Sequence, residues 1–299
     1  MTFNRLLVMA GMGLIFVGCA VSSVDQSATG SAEAVTLGAG GRPAAVPWSR
    51  SPVYGRNGMA ATAHPLASQV AIDILKQGGS ALDGAIAANA ALGLMEPTGN
   101  GIGGDVFFII WDPKTQQLYG YNGSGRAPLE RSLIDLKSQI ASLRQSGAMP
   151  EDMLGIPQRG SLPVTVPGTV DGWFAAHARF GTLPMSDVLA PTIRYAREGF
   201  PITPVIAYYF ERNLNAFRDQ ETLIEELDNA AALWFPNGKT PKAGEVFRNP
   251  DLANTLEILG NEGRAAFYQG RLAKAMDTYF KRIGADMRLK DLSTHQGEW

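Results

Sequence analysis

The stretch from Gly58 to Pro128 constrains the fold more than any other part of this chain. Its centre reads HPLASQVAIDILKQGGSALDGAIAANAALGLMEPTGNGIGGDVFFIIWDP. Apolar residues recur with helical spacing over 66–77, and two glycines at 78–79 predict the end of that helix. Ser80 is a good N-cap for a second helix over 81–95, which is apolar all round and must therefore be buried.

A β-hairpin is predicted to follow this helix pair. The apolar run 105–111 predicts a strand buried on both faces, the sequence DPKT predicts a turn, and 117–121 predicts the returning strand. The hairpin leads into the sequence NGSGRAP at 122–128. Beyond it, a strand followed by a helix is predicted over 161–177, further helices over 184–199, 203–235, 249–260 and 263–283, and an extended segment at the C-terminal DLSTHQGEW.

The N-terminus predicts export. Arg5 precedes an apolar run from Leu6 to Val17 that is too short for a stable membrane span, and Cys19 follows as the only cysteine of the chain. Residues 1–19 resemble a bacterial lipoprotein signal, which implies a lipid anchor on Cys19 and a periplasmic lipoprotein of a Gram-negative bacterium. The alternative is a secretory signal with an incidental cysteine. Residues 20–50 predict a flexible linker, and 51–299 the folded region.

Composition excludes few function classes. With 45% apolar residues, 18% charged residues and a net charge of -2, the chain gives no reason to expect nucleic acid as a partner. The three histidines, His64, His177 and His295, do not have the spacing of metal ligands, so no metal site and no cofactor is predicted. His64 is expected at the entry of the first helix, and His177 is expected to be a packed or surface residue.

Two glycine-containing motifs could carry chemistry. GNGIGG at 99–104 looks like a phosphate-binding loop, but a helix precedes it and a strand follows, the reverse of the usual order. We therefore expect a scaffold role, in which positive φ or close packing explains the glycines. In NGSGRAP, Arg126 offers a fork of donors that matches a carboxylate. An arginine that holds a turn through carbonyl oxygens is an equally good reading.

The ordered series of motifs resembles the large subunit of γ-glutamyltransferases. The matching pieces include PLASQVAIDILKQGGSALDGAIAANAAL, GNGIGGDVFFII, SLPVTVPGTVDGW, FGTLPMSDVLAPTIRYAREGFPIT, EILGNEGRAAFYQGRLAKAM and RLKDLSTHQGEW. The resemblance implies an α+β fold, part of the four-layer αββα sandwich of N-terminal-nucleophile hydrolases. It also implies a precursor that cleaves itself before a threonine, whose hydroxyl then attacks a γ-glutamyl amide such as glutathione.

Two departures from the family pattern matter. In the glutathione-degrading members an arginine stands four residues before the proline of the motif, a position held here by Ser124, whereas Arg126 stands two residues before Pro128. Arg126 and Ser124 are therefore the candidate substrate-binding residues. In addition, neither Thr165, Thr169 nor Thr294 has the setting of the processing site, so we expect no catalytic residue within this chain and a small subunit with the threonine beyond residue 299.

The motifs leave three functions open. The first is a γ-glutamyltransferase or glutathione hydrolase, which transfers the acyl group to water or to an acceptor amine or peptide. The second is a related amidase for other dicarboxylic acyl groups, similar to glutaryl-cephalosporin acylases, which NGSGRAP favours. The third is an exported lipoprotein fragment without turnover.

Overall fold

The computed structural model describes residues 53–299. Eleven α-helices and four strands lie in this part of the chain, which is α+β, as the resemblance implied. In chain order they are α1 (Pro65–Lys76), α2 (Ala81–Met95), β1 (Val106–Asp112), β2 (Gln117–Gly123), α3 (Leu133–Gln145), α4 (Thr169–Phe180), α5 (Met185–Glu198), β3 (Phe200–Pro201), α6 (Pro204–Asp219), α7 (Leu227–Trp234), β4 (Val246–Phe247), α8 (Pro250–Glu262), α9 (Arg264–Tyr268), α10 (Arg271–Arg282) and α11 (Leu289–Ser293).

The first two helices form as predicted, and their caps explain their bounds. The Nδ1 of His64 accepts the N–H of Leu66 at 3.2 Å at the start of α1, which confirms the role expected for this histidine. At the start of α2, Ser80 and Asp83 form a capping box, in which each side chain accepts the other residue's backbone N–H. Most of helix α2 is buried, although Ala81 and Ala85 are exposed, and it packs on α1 and α5 in the core.

The hairpin pairs β1 with β2 in antiparallel register, with Val106 opposite Gly123 and Asp112 opposite Gln117. Helix α4 packs on one face of this pair. The prediction of a strand buried on both faces was wrong, because Phe107, Ile109 and Trp111 point away from α4 and are exposed. Alternate side chains of a strand lie on opposite faces, so a helix on one face covers only half of an apolar run.

Three other predictions need correction. No strand forms at 161–166, where the backbone makes a local hydrogen bond from Val164 N–H to the Ser161 carbonyl and one hydrogen bond from Val166 N–H to the Arg126 carbonyl, without a ladder. The helix predicted over 263–283 is two helices, α9 and α10, which are separated at Gln269–Gly270. The final residues are not purely extended, because α11 forms there and only Glu298 pairs with a strand residue, Asn122.

Candidate functional site

The end of the hairpin is organised by one carboxylate. Asp105 lies directly before β1, and its Oδ1 accepts the N–H of Gly125 at 2.8 Å. The hydroxyl of Ser124 lies 3.5 Å from its Oδ2, at the limit of hydrogen bonding. The N–H of Ser124 donates to the Oδ1 of Asn122 at 2.9 Å. The backbone of Ser124 is thus fixed, and its hydroxyl lies on the Asp105 side of the turn.

Arg126 combines a fixed backbone with an exposed head group. Its carbonyl accepts the N–H of Val166 at 3.0 Å. Its Nη2 donates to the Oε1 of Glu298 at 2.7 Å, and both side chains are largely exposed. The guanidinium therefore already holds a carboxylate at the surface. Both sequence-predicted residues, Ser124 and Arg126, lie at the same end of the hairpin, and their role in substrate binding stays a prediction.

Glycines allow two backbone segments to meet here. A Cβ on Gly125 would lie 1.8 Å from the carbonyl oxygen of Val166, and one on Gly168 would lie 1.8 Å from that of Gly123. No side chain larger than hydrogen fits at such distances. The hairpin end and the segment that leads into α4 thus approach each other as closely as two backbones can.

The GNGIGG loop does not need its glycines for the reasons we expected. None of its glycines has a positive φ, and a Cβ on Gly99, Gly101 or Gly103 would meet no atom within 4 Å. The close contact lies on the helix instead, since a Cβ on Gly93 of α2 would lie 3.3 Å from the Cα of Gly101. The loop borders an open pocket of about 500 Å³ that extends to Asp105.

Thr169 ties this loop to helix α4. Its buried hydroxyl lies 2.9 Å from the carbonyl oxygen of Gly104, which also accepts the N–H groups of Gly168 and Thr169 at 2.9 Å each. Thr169 therefore has a structural contact, in which its buried hydroxyl donates to the loop backbone.

A buried ionic network lies behind the hairpin, and the sequence reading missed it. Asp171, in the first turn of α4, is 3% exposed. Its Oδ2 accepts the hydroxyl of Tyr121 at 2.6 Å and the N–H of Gly297 at 2.8 Å, while its Oδ1 accepts the Nε of Arg264. The network therefore joins β2, α4, α9 and the C-terminal segment. The one signal of this network in the sequence was Asp171 itself, a charged residue within the mostly apolar stretch VPGTVDGW.

Hydrogen bonding decides the ionisation of this network. Burial acts to raise the pKa of Asp171, but the hydrogen bonds from Tyr121, Gly297 and Arg264 hold it below its ordinary value. Burial and the neighbouring Asp171 carboxylate raise the pKa of Tyr121, which stays neutral as a donor. Asp171 is thus the buried anion, and Arg264 is its cation.

His295 lies against the same network. Its ring stacks on Tyr268 with centroids 5.4 Å apart, and its Nε2 lies 3.9 Å from Asp171 and has no hydrogen-bond partner among the described residues. Burial lowers the pKa of His295, an effect that the nearby Asp171 carboxylate opposes. Its carbonyl accepts Arg264 Nη2. His295 is therefore a neutral, packed residue.

The remaining sequence predictions have mixed outcomes. The Nε2 of His177 donates to the carbonyl of Leu183 at 2.7 Å, so this histidine is packed, as predicted. Cys19 and the signal and linker segments lie outside the described residues. Within residues 53–299, no group of three or more histidine, cysteine, aspartate or glutamate side chains could hold a metal ion. The same part of the chain contains no helix with the length and apolar character that a membrane span requires.

Known proteins are similar to this chain in sequence and fold. A glutathione hydrolase-like YwrD proenzyme from Bacillus subtilis is 34% identical over 248 residues, which are 83% of this chain and 43% of the relative. The structure of a cephalosporin acylase from Bacillus halodurans superposes with a TM-score of 0.76 at 38% identity, over 85% of this chain and 45% of that one. The γ-glutamyltranspeptidase of Helicobacter pylori superposes with a TM-score of 0.71 at 25% identity, over 83% and 67%.

This chain thus spans less than half the length of the curated relative and of the acylase. Its fold is the large-subunit part of the N-terminal-nucleophile hydrolase sandwich that these structures share. A family model described as gamma-glutamyltranspeptidase matches residues 67–299. The chain belongs to the gamma-glutamyltranspeptidase family.

Proposed function

We propose that the whole protein cleaves γ-glutamyl amides, glutathione among them, and transfers the acyl group to water or to an acceptor amine or peptide. The observation that carries this proposal is the family match over residues 67–299. Its relatives include a glutathione hydrolase proenzyme and a γ-glutamyltranspeptidase, and these names support the same substrate class.

In the proposed reaction a threonine outside residues 1–299 supplies the nucleophile. Its hydroxyl attacks the amide carbonyl, the amine leaves with a proton, and water or an acceptor amine then cleaves the acyl ester. This chain contributes binding, because the guanidinium of Arg126 can exchange the Glu298 carboxylate for that of the substrate. Ser124 can donate its hydroxyl to the same group.

The test is hydrolysis of γ-glutamyl-p-nitroanilide and of glutathione by the full-length protein. We expect turnover of both, and loss of turnover when the threonine that begins the small subunit is changed to alanine. A well-folded, processed protein that cleaves neither compound would contradict the proposal and favour the inactive lipoprotein.

A second candidate is an amidase for other dicarboxylic acyl groups. It is favoured by the 38% identity to a cephalosporin acylase and by the placement of Arg126 two residues before Pro128. Glutaryl-p-nitroanilide differs from the γ-glutamyl compound by the α-amino group alone, so the ratio of the two kcat/KM values separates the candidates. A ratio that favours glutaryl would replace the first proposal by the second.

We further propose that the protein is an exported lipoprotein held at the periplasmic face of a membrane through Cys19. The support is the sequence of residues 1–19, in which a basic start and an apolar run precede the only cysteine. A lipid anchor with two or more acyl chains gives stable attachment, whereas one chain gives only marginal binding.

A further inference from the structure

A second pocket, remote in sequence from NGSGRAP, has the composition of a ligand site. It has a volume of about 380 Å³, and its wall comes from the loop after α2, the loop before α4, and helices α6 and α7. Small-molecule sites commonly enclose about 300–1,000 Å³ and combine apolar walls with a few polar groups.

Aromatic rings form the walls. Phe210 and Trp234 lie with ring centroids 5.9 Å apart, and Phe217 and Phe235 lie at the same separation. Phe210, Asn213 and Phe217 follow each other at three and four residues along α6, so they share one face of that helix. Trp234 stacks on Phe247 at 5.4 Å, which fixes its ring.

One charge lies among these rings. Arg159 is the only charged residue that lines the pocket, and its guanidinium carbon lies 5.6 Å from the ring centroid of Phe217. Its Nη1 donates to the carbonyl of Gln158 at 3.3 Å, but its Nε is buried and has no hydrogen-bond partner among the described residues. No carboxylate of residues 53–299 forms an ion pair with this guanidinium. The carboxylate of Glu225 lies close to this segment but accepts the N–H and the hydroxyl of Ser161 instead.

A guanidinium that lacks a carboxylate partner and lies against aromatic walls is complementary to an anion that carries an apolar group. A buried donor without a partner is costly, and a carboxylate would satisfy it through a charge-assisted hydrogen bond. We propose that this pocket binds a small carboxylic acid with an aromatic or branched apolar group, with the carboxylate on Arg159 and the apolar group between the Phe210–Trp234 and Phe217–Phe235 pairs.

The test uses 3-phenylpropionate as the probe and isothermal titration calorimetry on the full-length protein. We expect Arg159→Gln to weaken binding by about tenfold or more, since a charge-assisted hydrogen bond is lost. The control is Arg212→Gln, which removes an exposed charge from α6, a helix of the pocket wall. Arg212 does not line the pocket, so this variant should bind the probe as the unaltered protein does. The neutral 3-phenylpropan-1-ol should bind Arg159→Gln and the unaltered protein equally.

Thr98→Glu provides a variant that keeps Arg159. Thr98 is exposed at the rim of the pocket, so the new carboxylate competes with the probe for the guanidinium without burying a charge. We expect weaker binding of 3-phenylpropionate and an unchanged circular dichroism spectrum. Equal affinities of the unaltered protein, Arg159→Gln and Thr98→Glu, or no binding of the probe at millimolar concentration, would overturn the proposal. None of these measurements depends on catalysis. Failure of this proposal and failure of the proposed function are therefore distinguishable.

Discussion

The guanidinium of Arg126 and the carboxylate of Glu298 lie 2.7 Å apart, although 172 residues separate them in the chain. Both side chains are largely exposed, so the pair contributes little to stability, typically about 0–1 kcal/mol. Its significance is positional. It places the one strong carboxylate-binding group of the hairpin end against a carboxylate that solvent or a ligand can displace.

Arg126→Gln should therefore impair substrate binding more than folding. In the full-length protein we expect KM for γ-glutamyl-p-nitroanilide to rise by about tenfold, with a smaller change in kcat, since a charge-assisted hydrogen bond to the substrate is lost. Glu298→Gln is the matched control, because it removes the competing carboxylate and should lower KM or leave it unchanged. An increase in KM for Glu298→Gln equal to that of Arg126→Gln would show that the pair matters only for structure.

Asp171→Asn should destabilise the fold strongly. The substitution leaves the Arg264 guanidinium without its buried anion, and breaking a buried pair costs about 3 kcal/mol or more. Urea unfolding measures the loss of free energy. Glu257→Gln breaks the exposed pair with Arg197 and should cost less than about 1 kcal/mol. Similar losses for both variants would contradict the assignment of Asp171 as the anion of a buried network.

The pKa of Asp171 fixes the sign of one pH effect. Because this pKa is lower in the folded chain than in the unfolded chain, its stabilisation is present above about pH 4 and is lost as the pH falls through the folded value. We expect Asp171→Asn to flatten the acid limb of a plot of unfolding free energy against pH. An acid limb that is unchanged in this variant would mean that other carboxylates control acid unfolding.

His295 should contribute to the pH dependence of stability at a higher pH than Asp171 does. Its pKa is lowered by burial, so the unfolded chain takes up a proton first as the pH falls below about 6.5, and stability decreases toward the folded pKa. His295→Phe keeps a ring on Tyr268 and removes this proton uptake. The slope of unfolding free energy between about pH 5 and 7 should therefore decrease. His64, which is buried and has a lowered pKa as well, should retain its own share of the slope.

Gly125→Ala and Gly103→Ala form a matched pair of glycine substitutions. A Cβ at Gly125 would lie 1.8 Å from the Val166 carbonyl oxygen, so the backbone must shift, at a cost of about 1–3 kcal/mol or more. A Cβ at Gly103 meets nothing within 4 Å, and stability should change by less than about 0.5 kcal/mol. Thermal unfolding of the two variants distinguishes them. Loss of turnover in a stable Gly103→Ala protein would show that the substrate needs the space that a side chain at this position fills.

Cys19→Ser should release the protein from membranes. In a Gram-negative host, labelled palmitate should enter the unaltered protein and not this variant, which should fractionate with the soluble periplasm. Ser23→Ala, in the linker, is the control and should change neither property. Labelled lipid in the Cys19→Ser protein would contradict the assignment of the anchor.

The local elements could be predicted from the sequence because short-range chemistry specifies them. Ser80 with Asp83 sets the start of α2, Gly78 ends the preceding helix segment, and the turn at 112–115 makes the hairpin. The family followed from the order of the motifs. The candidate residues Ser124 and Arg126 also followed from the sequence, since they are neighbours in one turn.

Only the tertiary structure decided which faces and which distant groups meet. Periodicity showed that 105–111 is apolar, but not that α4 would cover one face and leave Ile109 exposed. No local signal linked Asp171 to Arg264, or Arg126 to Glu298, because such pairs form only when α4, α9 and the C-terminal segment pack together. The sequence by itself determined the elements and the family. Packing determined the buried anion, the carboxylate held by Arg126 and the aromatic pocket around Arg159, since each requires side chains that are far apart in the chain.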